Sequence, residues 1–170
     1  MQILLTLLAS ISVVAAQSGF FFWNRFPDTT VGGNTFSDSN SIRPGSHLSS
    51  ITIYSGERID GISYTVQQNG QTLSFHHGGT SGKAQTFNFP KGDGINLIET
   101  CGTTDGSTRR VKYLRMLTLR GTTILAGQKT TYCRTQAPRA SELGMTLAGF
   151  NGFAGRDIDA LAPFFTTNLG

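Results

Sequence analysis

The segment Ser55–Gly61, with the sequence SGERIDG, has a near copy at Ala154–Ala160, with the sequence AGRDIDA. Both copies read small–Gly–x–x–Ile–Asp–small. A glycine that adopts positive φ lets the next backbone N–H groups point outward together, and the isoleucine can anchor the turn in the core. The aspartate carboxylate then faces the same cradle. Donors beside one acceptor suit a neutral ligand with neighbouring hydroxyl groups, such as a sugar, better than a phosphate, which the aspartate would repel.

Around these turns the 170-residue chain has the composition of a single β domain. Glycine is abundant, with 21 residues, and no long stretch repeats with the helical period. Short apolar runs that alternate with polar residues are separated by turn residues, which is typical of a β-sandwich, barrel or prism. The candidate strands are Leu48–Tyr54, Ile59–Gln67, Thr72–His76, Thr86–Phe89, Ile95–Cys101, Val111–Leu119, Thr123–Ala126, Thr146–Phe150 and Ile158–Phe165.

Residues 1–16 are apolar, carry no charged side chain and end on Val14-Ala15-Ala16, the small residues that a signal peptidase reads. We expect a signal peptide that is cut near Gln17 and a secreted, extracellular protein; an uncleaved membrane anchor is the alternative. Secretion fits the two cysteines, Cys101 and Cys133, since an isolated pair in an oxidising compartment usually forms a disulfide. Two free, buried thiols are the other interpretation.

Residues 17–28 form an aromatic segment that contains Phe20-Phe21-Phe22-Trp23. Such a run is either an exposed patch for a membrane or a partner, or a first strand that packs against the rest of the domain. We expect packing.

The formal net charge is +4, and basic residues cluster between Arg109 and Arg120. A solvated strand edge is the usual meaning of such a cluster, and a site for acidic glycans or a protein partner is the alternative. A secreted chain with no recognisable nucleic-acid motif is not expected to bind nucleic acid.

Several segments together resemble those of jacalin-related lectins, in matching order and spacing over about residues 29–166. The segments are Gly32–Phe36, Ile53–Gly61, His77–Gly79, Gly92–Gly94 and Gly149–Gly155. The resemblance implies an all-β fold, a β-prism I of three four-stranded Greek-key sheets around a pseudo-threefold axis. It also implies metal-independent binding of glycans without a cofactor. The family's galactose-binding branch depends on a chain cut that frees an N-terminal glycine. No such cut is evident here, which favours mannose or glucose.

The resemblance places a primary pocket where the first Gly-Gly loop meets the last Gly-x-x-x-Asp loop. Its residues are Gly33, Gly155, Arg156, Asp157 and Asp159. A second pocket of the same kind occurs in some members of the family. Its residues here are Gly56, Glu57, Arg58, Asp60 and Gly82. Gly92–Asn96 resembles a third, degenerate copy with asparagine in place of aspartate.

The loop from Thr103 to Arg110 occupies the place of a recognition loop in the family. Thr104, Asp105 and Arg109 could contact a second sugar ring or an acidic group, or the loop could be a mobile hairpin tip. Because one shallow pocket binds a solvated sugar weakly, at ~−4 to −6 kcal/mol, we expect avidity from two sites or a homo-oligomer.

Catalysis is not expected. A glycosidase needs two carboxylates that flank one bond at a set distance. Each turn here has two acids, Glu57 and Asp60 in one and Asp157 and Asp159 in the other. The first acid of each pair serves through its backbone N–H, and the second is the ligand acceptor. The adjacent His76 and His77 point to opposite faces of a strand and cannot chelate one ion. The main alternative to a lectin is therefore a secreted interaction module that uses the basic strand.

Overall fold

Three four-stranded antiparallel sheets form in the computed structural model, which describes residues 19–28, 32–103, 110–139 and 144–167. The strands in chain order are β1 (Phe20–Phe22), β2 (Asn34–Ser37), β3 (His47–Ser55), β4 (Ile59–Gln68), β5 (Gln71–Gly78), β6 (Lys83–Asn88), β7 (Ile95–Gly102), β8 (Val111–Thr118), β9 (Thr123–Gly127), β10 (Cys133–Gln136), β11 (Met145–Ala154) and β12 (Ile158–Thr167). A short 3-10 helix, Asp38–Asn40, follows β2.

Each sheet is built around one hairpin. The strand orders are β1-β12-β11-β2, β5-β4-β3-β6 and β10-β7-β8-β9, so the central hairpins are β11–β12, β3–β4 and β7–β8. Each order places three successive strands side by side and the remaining strand next to the first of them, which is a Greek key. In the first sheet this pattern is completed by strands from both ends of the chain. The prediction of an all-β prism of three Greek-key sheets is confirmed.

The inward faces of the sheets share one apolar core. Alternation along β3 places Ile51 and Ile53 at 0% exposure, as the period of two in a strand requires. Ile59, Val111 and Ile158, the first residues of β4, β8 and β12, are also at 0% exposure. These three residues anchor the ends of the three hairpins, as expected of the isoleucine in the repeated turn.

The aromatic segment packs as a first strand. β1 pairs with β12, with Phe20 opposite Thr166, and Phe20, Phe21 and Trp23 lie against the core. Phe26 is buried and bridges to Leu161. The segment therefore extends the first sheet. Within the described ranges, no helix is long and apolar enough to cross a bilayer.

Apart from β1, which the aromatic segment predicted, two strands have no counterpart among the candidate strands, β2 and β10. Both have four residues, with the sequences NTFS and CRTQ, and too few apolar side chains to signal a strand. The disulfide is present: Cys101 of β7 is bonded to Cys133 of β10, directly opposite in the ladder. Residues 1–18, which hold the expected signal peptide, lie outside the described residues.

Candidate functional site

The two copies of the repeated turn have the same backbone geometry, but the expected positive φ of the turn glycine is wrong, since neither Gly56 nor Gly155 adopts it. Gly56 N–H donates to Arg58 O over 3.1 Å, and Gly155 N–H donates to Asp157 O over 3.0 Å. The ladder register shifts at the same point in both hairpins, just before each turn. The sequence repeat therefore corresponds to a structural repeat, with one turn at the end of β3–β4 and the other at the end of β11–β12.

A glycine that directly precedes an edge strand lies against the acid in each copy. Gly33 has φ +72° and Gly82 has φ +78°. A Cβ at Gly33 would overlap Asp159 Oδ2, and one at Gly82 would lie 2.7 Å from Asp60 Oδ2. Any side chain is thus excluded by both conformation and space. The fold brings together Gly33 with Asp159, and Gly82 with Asp60, as the resemblance implied.

The primary turn offers unused hydrogen-bonding groups. In the described part of the chain, no protein acceptor takes the backbone N–H groups of Gly33, Arg156 or Asp157, and no protein donor reaches the Asp159 carboxylate. Burial raises the pKa of Asp159, the nearby Arg110 guanidinium opposes this rise, and the Asp157 carboxylate adds to it. Asp159 remains partly exposed. The site combines several donors with one acceptor at the surface.

The second turn differs in one contact. Asp60 is only 6% exposed, and its Oδ1 accepts a hydrogen bond from Arg58 Nε over 3.1 Å. The carboxylate that would accept from a ligand is therefore already engaged by its own turn. Gly56 and Glu57 are exposed at the tip.

The described residues of the third hairpin do not repeat the site. β7–β8 repeats the register shift, with Gly102 opposite Val111, but Lys112 follows Val111 where the other hairpins have an aspartate. Residues 128–132, which lead into β10, contain no glycine. The interpretation of Gly92–Asn96 as a third copy is wrong, because Gly92–Gly94 lies in the connection from β6 of one sheet to β7 of another and forms no hairpin.

An ion cluster ties the three hairpins together. Arg58, Arg110 and Asp157 each precede the buried anchor of their hairpin. Arg58 Nε lies 3.0 Å from Asp157 Oδ1, and Arg110 Nη1 lies 2.6 Å from Asp157 Oδ2. The Asp157 side chain is 4% exposed. Sequence reasoning gave Asp157 a role only through its backbone; the common position of these three residues in their hairpins is the signal that could have revealed the cluster.

Two arginines of the basic stretch, Arg110 and Arg115, pair with acids. Arg110 binds Asp157, and Arg115 Nε lies 2.9 Å from Glu99 Oε2. Lys129 binds the other oxygen of Glu99 over 2.9 Å. The Lys129 contact chiefly lowers the pKa of Glu99, burial opposes it, and Arg115 adds to the lowering. Arg120 lies in the turn after β8, and Thr104, Asp105 and Arg109 lie outside the described residues.

An all-β prism of three Greek-key sheets, with backbone donors and one carboxylate at the end of a hairpin, is typical of a class of carbohydrate-binding proteins. Comparison with known proteins makes the class specific: residues 29–163 match the jacalin-like lectin domain, and the chain belongs to this family. It is therefore a lectin, a carbohydrate-binding protein without catalytic activity. The segment 19–28, with β1, precedes the matched span.

Solved structures of plant lectins share the fold. Malaysian banana lectin is 25% identical, with a TM-score of 0.74, and the match covers 88% of this chain and 100% of that one. A mannose-binding jacalin-related lectin from Ananas comosus is 20% identical, with a TM-score of 0.70 and coverage of 88% and 97%. A mannose-specific jacalin-related lectin from Morus nigra, in complex with mannose, is 16% identical, with a TM-score of 0.69 and coverage of 92% and 99%. A search among proteins of curated function gives no significant match.

Proposed function

We propose that the protein is a secreted lectin for mannose- or glucose-type glycans and that the turn around Asp159 is its main site. The observation that carries the proposal is the set of unused groups at this turn. The N–H groups of Gly33, Arg156 and Asp157 surround a carboxylate that no described protein donor reaches. A hexose can bind to both the N–H donors and the carboxylate, because each of its hydroxyl groups both donates and accepts hydrogen bonds.

The chemistry favours a neutral sugar and requires no metal. Asp159 repels anions, while a carboxylate that accepts from two hydroxyls gains charge-assisted hydrogen bonds of ~1.5–3 kcal/mol each. Mannose is supported by the lectins from Ananas comosus and Morus nigra, whose structures are described as mannose-binding and mannose-specific. Secretion is supported by the apolar residues 1–16 and by the disulfide.

We assign the turn around Asp60 a weaker role. A sugar that binds there must compete with Arg58 Nε for the carboxylate. One site per chain should therefore dominate, with an affinity near millimolar or somewhat tighter, ~−4 to −6 kcal/mol. Useful avidity then requires more than one copy of the chain.

The structural repeat provides a matched pair of variants for the test. Asp159→Ala and Asp60→Ala remove equivalent carboxylates from the two turns. We expect wild type and Asp60→Ala to be retained on mannose-agarose in the presence of EDTA and eluted by methyl α-mannoside. Asp159→Ala should pass through, while its β-sheet circular dichroism remains that of wild type.

Other results would contradict specific parts of the proposal. Equal elution of wild type and Asp159→Ala from mannose, glucose and galactose resins would reject the Asp159 site. Loss of retention only in Asp60→Ala would move the main site to the second turn. Retention that EDTA abolishes would reject metal-independent binding.

A further inference from the structure

A groove of about 520 Å³ crosses the outer face of the first sheet. Thr35 and Ser37 of β2, and Asn151 and Phe153 of β11, line one side of it. The other wall is the segment from Trp23 to Asp28, which precedes the span matched by the family. Its volume falls within the range of small-molecule sites.

The wall of the groove is held in place. Trp23 Nε1 donates to Ala137 O over 3.0 Å, and its ring packs edge-on against Phe21. Trp23 N–H donates to Pro163 O over 3.1 Å. The Arg25 guanidinium lies 4.8 Å from the centre of the Phe153 ring. The groove is thus preorganised, which limits the entropy lost when a ligand binds.

The lining favours a neutral, polyhydroxylated ligand. Among the described residues, the side chains of Asn24, Thr35 and Ser37 have no hydrogen-bond partner. Asn151 Oδ1 accepts from Ser39 N–H over 3.1 Å, which leaves its Nδ2 group as a donor. The lining contains one basic and one acidic side chain, Arg25 and Asp28, so its formal net charge is zero. Aromatic rings beside hydroxyl and amide groups offer apolar faces and polar edges together.

The groove begins close to the candidate site. Thr35 lies two residues after Gly33, and Phe153 directly precedes the Ala154 that closes the Asp159 turn. At about 3.3 Å per residue, the groove begins within ~7 Å of the primary turn. We propose that it binds the second and third residues of a glycan whose terminal hexose occupies the Asp159 turn. This proposal rests on the proposed function and extends it from single sugars to oligosaccharides.

Trp23 is the only tryptophan in the chain, so the wild-type protein carries a built-in reporter. Indole emission responds to the polarity around the ring. We expect a linear α-mannotriose to change the Trp23 emission at saturation and methyl α-mannoside, which is confined to the Asp159 turn, to leave it as in the free protein. Calorimetry should show that the triose binds ~10-fold more tightly than methyl α-mannoside, a difference of about 1.4 kcal/mol.

A groove-filling variant provides the second measurement. Thr35 is exposed and lies opposite Phe153; Ala84 is exposed and lies opposite Tyr54, at the equivalent place in the second sheet. Thr35→Phe should reduce the ratio of the affinity for the triose to that for methyl α-mannoside to about one. Ala84→Phe should keep the wild-type ratio. Phenylalanine suits an exposed strand position, so both variants should fold.

The outcomes separate the two proposals. If wild type binds methyl α-mannoside but gains nothing from the triose, or if Thr35→Phe and Ala84→Phe retain the same ratio, the groove is rejected and the Asp159 site stands. If wild type binds neither saccharide, the proposed function fails and the groove fails with it.

Discussion

The Asp159 carboxylate is disfavoured in its charged form, because burial and the neighbouring Asp157 outweigh the Arg110 guanidinium and raise its pKa. A raised pKa in the folded state means that the ionised group destabilises the fold at pH values above that pKa. This destabilisation disappears as the pH falls below 3.8, the ordinary pKa of an aspartate. The carboxylate that we propose as the ligand acceptor is therefore unfavourable for stability when it is ionised.

We predict that Asp159→Asn raises the melting temperature slightly at pH 7 and leaves it unchanged at pH 3, because the amide carries no charge to desolvate. Circular dichroism melts of both proteins at the two pH values measure this. A lower melting temperature for the variant at pH 7 would show that Asp159 stabilises the fold. In wild type, hexose affinity should fall as the pH drops through the raised pKa, since the protonated acid accepts fewer hydrogen bonds.

At the scale of the elements, the three hairpins meet at one buried acid. Asp157 accepts from Arg58 of one neighbouring hairpin and Arg110 of the other. Its side chain is 4% exposed, whereas the side chains of the two arginines are 40% and 35% exposed. Removing the acid leaves two cations without their shared partner, while removing either arginine leaves the acid one partner.

We predict that Asp157→Asn lowers the free energy of unfolding by about 2–3 kcal/mol. This loss is smaller than the usual cost of breaking a fully buried ion pair, because both guanidinium groups reach solvent. Urea denaturation measures this loss. Glu57→Gln is the control, since it removes one acidic charge from an exposed turn position and should change the stability by less than ~0.5 kcal/mol. Equal effects of the two substitutions would mean that the cluster contributes nothing specific.

The elements also show what the sequence could predict. Strands with clear alternation, such as β3 and β4, lie within a residue or two of their predicted bounds. β2 and β10 could not be predicted, because four-residue edge strands gain their hydrogen bonds from a distant partner. The placement of a third repeat at Gly92–Asn96 failed for a related reason: the local pattern is similar, but only strand pairing shows which segments close hairpins.

The candidate site, too, could be predicted from the sequence only in part. The pairing of Gly33 with Asp159 follows the repeated motif, and so does that of Gly82 with Asp60. The hydrogen bond from Arg58 to Asp60 does not follow from the motif. Arginine and aspartate stand at the same position of the two turns, and only the folded structure shows that this position points towards the neighbouring hairpins.

At the scale of the whole molecule, two of the three sheets are held by links between distant parts of the chain. The first sheet joins the two ends of the chain, because β1 and β2 flank β12 and β11. The third sheet carries the disulfide between Cys101 and Cys133, which are 32 residues apart. The bond restricts the unfolded chain, and a loop of this length corresponds to ~3–4 kcal/mol in the chain-entropy account.

We predict that replacing both cysteines with alanine lowers the free energy of unfolding by ~3–4 kcal/mol while hexose affinity stays within ~2-fold of wild type, because neither cysteine belongs to the sheets that carry the Asp159 and Asp60 turns. Alanine is preferred to serine since Cys101 is fully buried and a buried hydroxyl adds its own penalty. Wild type in reductant is the second arm, and it should lose a similar amount of stability. If the variant loses hexose binding under conditions where it remains folded, the third sheet must help to hold the Asp159 turn, through Arg110 and Asp157.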